Sequence, residues 1–179
     1  MEKGWVGQGA NGLYLTPDGR KQFKVIFTGG VYDLIHRGHI ETLNEAKSLG
    51  DLLVVVIARD ETAKRWKRAP INHEEDRRII VENLKPVDIA VLGNKEDHLK
   101  TIEWIKPDVI AIGADQHYDI EKLQKQLEGR GMKNIAIQRL KSDVEGLSTT
   151  SLINRILARY RTKEIEEVRK IEHSEGKQS

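Results

Sequence analysis

The sequence predicts an α/β fold: a five-stranded parallel sheet with helices on both faces. Three observations point there. The apolar runs "LLVVVIA" (52–58) and "DVIAIG" (108–113) lack polar alternation, as strands buried on both faces do. Segments with apolar residues at helical spacing lie between such runs. Strand and helix alternate throughout, which is the pattern of strands joined by crossovers. With 179 residues, 38% of them hydrophobic, the chain has room for one such domain and not for two large ones.

Taken in order, residues 1–22 form a glycine-rich, polar N-terminal extension. Within it, "LYLTPDGRKQF" fits a small hairpin about Pro17-Asp18-Gly19 or a loose extension. "KVIFTG" (24–29) is the first buried strand. "GHIETLNEAKSLG" (38–50) is a helix with Ile40, Leu43, Ala46 and Leu49 on one face and Gly50 as its stop. "DLLVVVIA" (51–58) is a strand. "NHEEDRRIIVENL" (72–84) is an amphipathic helix with Asn72 as N-cap. "VDIAVLG" (87–93) is a strand, and "NKEDHLKTIEWIK" (94–106) a helix that ends before Pro107. "PDVIAIG" (107–113), "DIEKLQKQLEGRG" (119–131) and "KNIAIQRL" (133–140) read as strand, helix and strand. "STTSLINRILARY" (148–160) is a capped helix. The main domain then spans 23–158, and 159–179 is a charged tail that extends the last helix and frays. The whole is a Rossmann-like arrangement.

Composition narrows the chemistry. There are no cysteines, which excludes disulfides, zinc–thiolate sites and thiol nucleophiles and suits a reducing cytoplasm. The longest apolar run is far too short to span a bilayer, and "MEKGWVGQGANG" lacks the apolar core of a secretion signal. Net charge is +2 with acids and bases interleaved, so neither a nucleic-acid surface nor a membrane surface is expected.

The stretch "TGGVYDLIHRGH" (28–39) stands at the first strand-to-helix junction, where open parallel sheets bind ligands. Its glycines permit close backbone approach, and Gly38 keeps the first helical turn clear. His36 and His39, three apart, share a face beside the free N–H groups and positive end of a helix. That is a site for an anion, with phosphate the natural candidate. The P-loop and GxGxxG patterns are absent. The histidine pair has metal-ligand spacing, but no third ligand lies near in sequence.

"GGVYDLIHRGHIETLNEAKSLGD" resembles the first motif of the cytidylyltransferase-like nucleotidyltransferases, marked by G-x-F-D and H-x-G-H, with Tyr32 where phenylalanine is usual. Four more stretches resemble that family in the same order: the lysine segment "ARDETAKRWKRAPI", the arginine-bearing "NHEEDRR", the "KPDVIAIGADQ" strand and turn, and "EGLSTTSLI". The resemblance covers residues 24–157. It implies an HxGH nucleotidyltransferase fold and transfer of a nucleoside monophosphate from a triphosphate to a phosphorylated acceptor, with release of pyrophosphate. An ionised acceptor phosphate needs little general-base help, so the demand falls on alignment and on charge stabilisation.

By the same resemblance, His36, His39, Lys64, Lys67 and Arg77 are the catalytic set. Thr28, Gly29, Gly30, Val31, Tyr32, Asp33, Gly38, Gly113, Asp115, Gln116, Ser148, Thr149 and Thr150 bind the nucleotide. Asp33 organises the turn, Trp66 is a candidate stacking ring, and Trp104 is structural. No residue is assigned as a metal ligand, and Mg2+ arrives with the nucleotide. A homodimer in the cytoplasm is expected.

Within the family, "VVVIARDETAKRWKRAPI", "LKPVDIAVLG" and "KPDVIAIGADQ" resemble archaeal FAD synthases, which adenylylate FMN. "EGLSTTSLINRI" is more similar to glycerol-3-phosphate cytidylyltransferases and to adenylyltransferases acting on sugar phosphates. The cytidylyltransferase pattern has an arginine five residues before the serine, where this chain has Asp143, with Arg139 farther back as a substitute. ATP and FMN are therefore the leading substrates. CTP with glycerol 3-phosphate, or a sugar or polyol phosphate, is the alternative, and a nucleotide-sensing regulatory module is the non-enzymatic one.

Overall fold

The computed structural model describes residues 6–9, 12–66, 68–142 and 144–160. The chain divides into two units, residues 1–144 and 145–179. In the first unit a short antiparallel pair, β1 (Val6–Gly9) and β2 (Gly12–Leu15), precedes helix α1 (Pro17–Arg20). The hairpin expected about Pro17-Asp18-Gly19 is thus displaced toward the N-terminus. Thr16 accepts a hydrogen bond from Gly19 N–H and Pro17 opens the first turn, so these residues start a helix.

Strands β3 (Val25–Gly30), β4 (Leu52–Ile57), β5 (Ile89–Leu92), β6 (Val109–Ile112) and β7 (Ala136–Arg139) form one parallel sheet in the order β5-β4-β3-β6-β7. Between them run α2 (Arg37–Lys47), α3 (Asp60–Trp66), α4 (Glu74–Glu82), α5 (His98–Ile105) and α6 (Ile120–Gly129). Successive strand residues point to opposite faces, so β3 gives Ile26 to one core and Phe27 to the other. One core joins Ile26, Leu53, Val55 and Ala111 to Leu43 and Ala46 of α2 and Val81 of α4. The other joins Phe27, Ile110 and Ile112 to Leu99 and Ile102 of α5 and Leu123 and Leu127 of α6. Helices therefore cover both faces, as the unalternating strands predict.

The strand order reverses direction between β3 and β6. These two strands pair only at Ile26–Val109 and Phe27–Ile110, whereas β3 and β4 pair along six residues. Beyond Phe27 the sheet splits, and the crevice of a doubly wound fold opens at the carboxyl ends of the strands. The opposite end is closed by carboxylates. Asp51, Asp88 and Asp108 accept from the backbone N–H of Lys24, Leu53 and Val25 at 2.6–2.7 Å.

Several helix starts differ from expectation. His73, not Asn72, caps α4, its Nδ1 accepting from Glu75 N–H. α2 begins at Arg37, with His36 in the N-cap position. Trp104 is 69% exposed. It lies about 200° around the helix from Ile102, off the buried face formed by Leu99 and Ile102. In the second unit, α7 (Thr149–Tyr160) is capped reciprocally: Ser151 N–H donates to Ser148 Oγ, and Ser148 N–H to Ser151 Oγ. Lys67, Asp143 and the tail beyond Tyr160 lie outside the described residues, as does the Trp66 side chain. Among the described residues no helix is long and apolar enough to cross a membrane.

Candidate active site

The crevice at the end of β3 is lined first by the histidine pair. His36 is the N-cap of α2 and His39 its third residue, and their rings stack with centroids 3.9 Å apart and planes tilted by 29°. His39 Nδ1 faces the His36 N–H at 3.4 Å as acceptor. In the neutral ring this puts the proton of His39 on Nε2 and makes that nitrogen a donor. Burial, and the neighbouring His36, push His39 down to about 4, with Asp115 pulling the other way. Burial also lowers His36, again against Asp115. The pair is neutral at pH 7, and its useful chemistry is donation of N–H bonds. The first turn of α2 holds no acidic residue, so the positive end of the helix dipole remains uncompensated beside the rings. His36 Nδ1 is buried without a hydrogen-bond partner among the protein groups.

Tyr32 forms the floor. Its φ is +51°, its ring lies 5.3 Å from that of His39, and it is buried. A Cβ on Gly30 would stand 2.8 Å from Tyr32 Cε2, so the ring occupies the space that glycine leaves. Burial raises the Tyr32 hydroxyl far above its ordinary value, although the hydroxyl bonds to Thr28. Thr28 is itself sealed. Expected to meet the nucleotide, Thr28 and Tyr32 instead hold each other beneath the histidines.

Asp33 and Arg77 are scaffold as well. Asp33 Oδ1 accepts from Ile71 N–H at 2.9 Å and Asn72 N–H at 3.0 Å, and its carbonyl accepts from the Asn72 amide. Arg77 was expected to grip phosphate. It is wholly buried, and its guanidinium donates to the carbonyls of Asn72 (3.1 Å), Ala58 (2.7 Å) and Val31 and to Asp60 Oδ1 (2.8 Å). With no exposed atom it cannot reach a phosphate. The exposed helix face belongs to Arg78, which pairs with Glu75 and Glu82.

On the far side of the split, Gln116 bridges the two strand ends. Its Nε2 donates to Gly29 O at 2.8 Å and its Oε1 accepts from Gly113 N–H at 3.3 Å. Arg139 holds the same loop through the carbonyls of Gly113, Gln116 and Tyr118. Arg139 itself stays exposed. Asp115, held at the tip of the loop, is exposed and electrostatically coupled to both histidines. Gly29, Gly30, Val31 and Gly38 line the turn half-buried, and Gly113 is buried. Lys64 stands exposed on α3.

The structure thus brings together His36, His39, Gly29, Gly30, Gly38, Gly113 and Asp115. It withdraws the side chains of Thr28, Asp33 and Arg77 into support. In the second unit the cap of α7 uses Ser148 and Ser151, so Thr149 and Thr150 are surplus to capping. Sequence reasoning missed Arg68, whose guanidinium reaches 3.5 Å from Asp33 Oδ2. Its only signal was basic character beside the quoted lysines. It also missed Asn72 as the partner of Asp33. Two surface hollows, one lined by Asp119, Glu121, Lys122, Lys125 and Gln126 and one between Lys106–Pro107 and Gly131–Ile135, lie elsewhere and gather none of these groups. Among the described residues no cluster of three or more acidic or histidine side chains could hold a metal ion.

A model of the cytidylyltransferase-like family matches residues 27–155. FAD synthase of Ferroglobus placidus is 51% identical over 147 residues, which cover 80% of this chain and 95% of the relative. FAD synthase of Aciduliprofundum boonei is 46% identical over 138 residues, covering 75% and 91%. Among solved structures, a lipopolysaccharide core biosynthesis protein from Thermoplasma volcanium is similar with a TM-score of 0.66 and 40% identity, over 68% of this chain and 99% of that one. A protein of unknown function from Archaeoglobus fulgidus, 16% identical with a TM-score of 0.57, shares the fold.

Proposed function

The chain belongs to the cytidylyltransferase-like family and is a nucleotidyltransferase, and from that premise we propose that it transfers AMP from ATP to the phosphate of FMN, forming FAD. The observation that carries the choice of substrates is the 51% identity to an archaeal FAD synthase across 95% of that enzyme's length.

In this reading an oxygen of the FMN phosphate attacks the α-phosphorus of ATP. The bond from that phosphorus to the α–β bridging oxygen breaks, and pyrophosphate leaves with the bridging oxygen. His36 and His39 donate to the α-phosphoryl oxygens as charge grows on them, aided by the start of α2. Their lowered basicity makes both rings poor proton acceptors, and the already ionised acceptor phosphate needs none. Lys64 and Lys67 balance charge on the phosphates, while Gly113 and Asp115 flank the nucleoside. Ser148, Thr149 and Thr150 keep their assignment to the β- and γ-phosphates, supported by a cap that leaves two hydroxyls unused. Enzymes of this kind use a divalent metal. Mg2+ is the proposed ion, and it would add neutralising charge to the triphosphate. With no acidic cage among the described residues, the triphosphate oxygens would hold the ion in the main. A homodimer in the cytoplasm belongs to the same proposal. Exposed Ile79 and Ile80 of α4 and Ile89 of the edge strand β5 support the dimer.

A second reading, a sugar phosphate as acceptor, is favoured by the likeness to the lipopolysaccharide core biosynthesis protein. Incubation with Mg2+ and ATP plus FMN, ATP plus a sugar phosphate, or CTP plus glycerol 3-phosphate separates them. The readouts are pyrophosphate release and quenching of flavin fluorescence. Product with ATP and FMN is expected, and product only with another pair overturns the assignment.

A further inference from the structure

The lysine-bearing stretch between β4 and α4 is fastened at both ends to the histidine-bearing turn. At its start, Asp60 accepts from Arg77, whose guanidinium also binds Val31 O and Ala58 O. At its close, Ile71 and Asn72 donate their N–H groups to Asp33, and Arg77 Nε donates to Asn72 O. A second brace crosses the base of the stretch. Glu74 accepts from Asp60 N–H at 2.8 Å and from Arg59 at 2.6 Å, and Arg59 in turn donates to Gly93 O. Lys64 lies between the two fastened ends, on a seven-residue helix in which Ala63 is buried among the described side chains. A helix of two turns is marginal by itself, so fastening its ends bears directly on where it sits.

We propose that Arg77 and Asp33 are positioning residues that fix the lysine-bearing stretch relative to His36 and His39, so that cations and imidazoles meet one phosphate chain. The proposal rests on the transferase reading. Arg77 suits the task because a planar guanidinium can bond three carbonyls and a carboxylate at once, which an ammonium cannot. It acts through the stretch it holds, and so its contribution to turnover should exist only while the lysines are present.

The test is a double-mutant cycle in the full-length protein. Arg77→Lys and Asp33→Asn are each combined with Lys64→Ala, Lys67→Ala or both lysine substitutions. Asp60→Asn, which keeps an oxygen for Arg77, serves as the variant least able to unfold the chain. Each support variant alone should lower kcat by ~10–100-fold, as displacement of a catalytic group by about 1 Å does, with a smaller change in KM for the nucleotide. In the double-lysine background the same substitutions should cost less than ~3-fold. Full additivity overturns the proposal. Hydrogen exchange gives a readout independent of activity. Amides of residues 61–69 should exchange faster in Arg77→Lys and Asp60→Asn, while β3 and β4 keep their protection. Unchanged exchange across 61–69 overturns the fastening itself. A wild-type chain that releases no pyrophosphate would instead overturn the transferase reading, and the exchange result would still decide the fastening.

Discussion

Acidification should weaken the fold through His39 before any carboxylate contributes. Burial, and the neighbouring His36, bring the folded value to about 4 against 6.5 in the unfolded chain. Between those values the unfolded chain binds the proton and the folded chain does not, so stability rises with pH in that window. The stability is complete above pH 6.5, is lost as pH falls toward 4, and changes no further below. At about 1.4 kcal/mol per decade the ceiling is about 3 kcal/mol, of which about 2 kcal/mol is gone by pH 5. Glu45, Asp60, Glu74 and Asp97 also lie below their ordinary values, but their losses begin only near pH 4.5, below the span from pH 7 to 5 over which His39 is read. His36 has the same sign as His39 and remains in a variant that removes only the latter. The measurement is urea unfolding of wild type and His39→Asn at pH 7, 6 and 5. Asparagine keeps an acceptor for the His36 N–H and does not titrate. Wild type should lose about 2 kcal/mol more than the variant between pH 7 and 5. Parallel losses would show that burial does not lower His39, and the reasoning from its surroundings would fail.

Gly50→Ala should cost about 1–3 kcal/mol in the same unfolding assay, because its Cβ would stand 2.6 Å from Lys24 O and 2.7 Å from Ile26 Cδ1. Turnover of the folded enzyme should be unaffected, and an unchanged urea midpoint would refute the packing. Gly30→Ala should do the reverse in emphasis. Its Cβ meets the Tyr32 ring, which backs His39, so kcat should fall about 10-fold or more through misplacement of the imidazoles; full activity would contradict the stacked arrangement. His39→Ala should lower turnover by ~10²–10⁴ with the fold retained, as loss of a transition-state donor does. A wild-type rate would remove His39 from the chemistry.

All five strands of the parallel sheet were legible: β4 and β6 are apolar runs buried on both faces, and the more exposed edge strands β5 and β7 are placed by the helical spacing that flanks them. The histidine pair was legible for a related reason: strand, glycines, histidines and helix are contiguous in sequence, so local order carries the geometry. Arg77 was not. On a helix flanked by Glu74, Glu75, Asp76 and Arg78 it reads as one more surface charge. Its burial follows from carbonyls at residues 31, 58 and 72, brought together only when three chain segments end at one corner of the sheet. Asn72 failed as a cap for the same reason, since its side-chain amide is turned to the carbonyl of Asp33, 39 residues away. Thr16-Pro17-Asp18-Gly19 carries both turn and helix-start signals, and the local pattern cannot choose between them.

The two ends of the sheet use charge in opposite ways, and this explains where function can reside. At the amino ends, Asp51, Asp88 and Asp108 spend their carboxylates on the first N–H groups of neighbouring strands. Lys47 and Arg20 pair with two of them, so little free potential remains for a ligand. At the carboxyl ends the buried guanidinium of Arg77 takes up the carbonyls of Val31 and Ala58, at the ends of β3 and β4. Gln116 does the same for Gly29 O, and Arg139 for Gly113 and Gln116. Capping these acceptors strips the crevice of lone pairs that would repel phosphate, while the donors of α2 and the histidines stay available. A crevice that binds polyanions needs its carbonyls occupied as much as it needs cations exposed. The scaffold residues therefore shape the electrostatics of the site without touching its ligand.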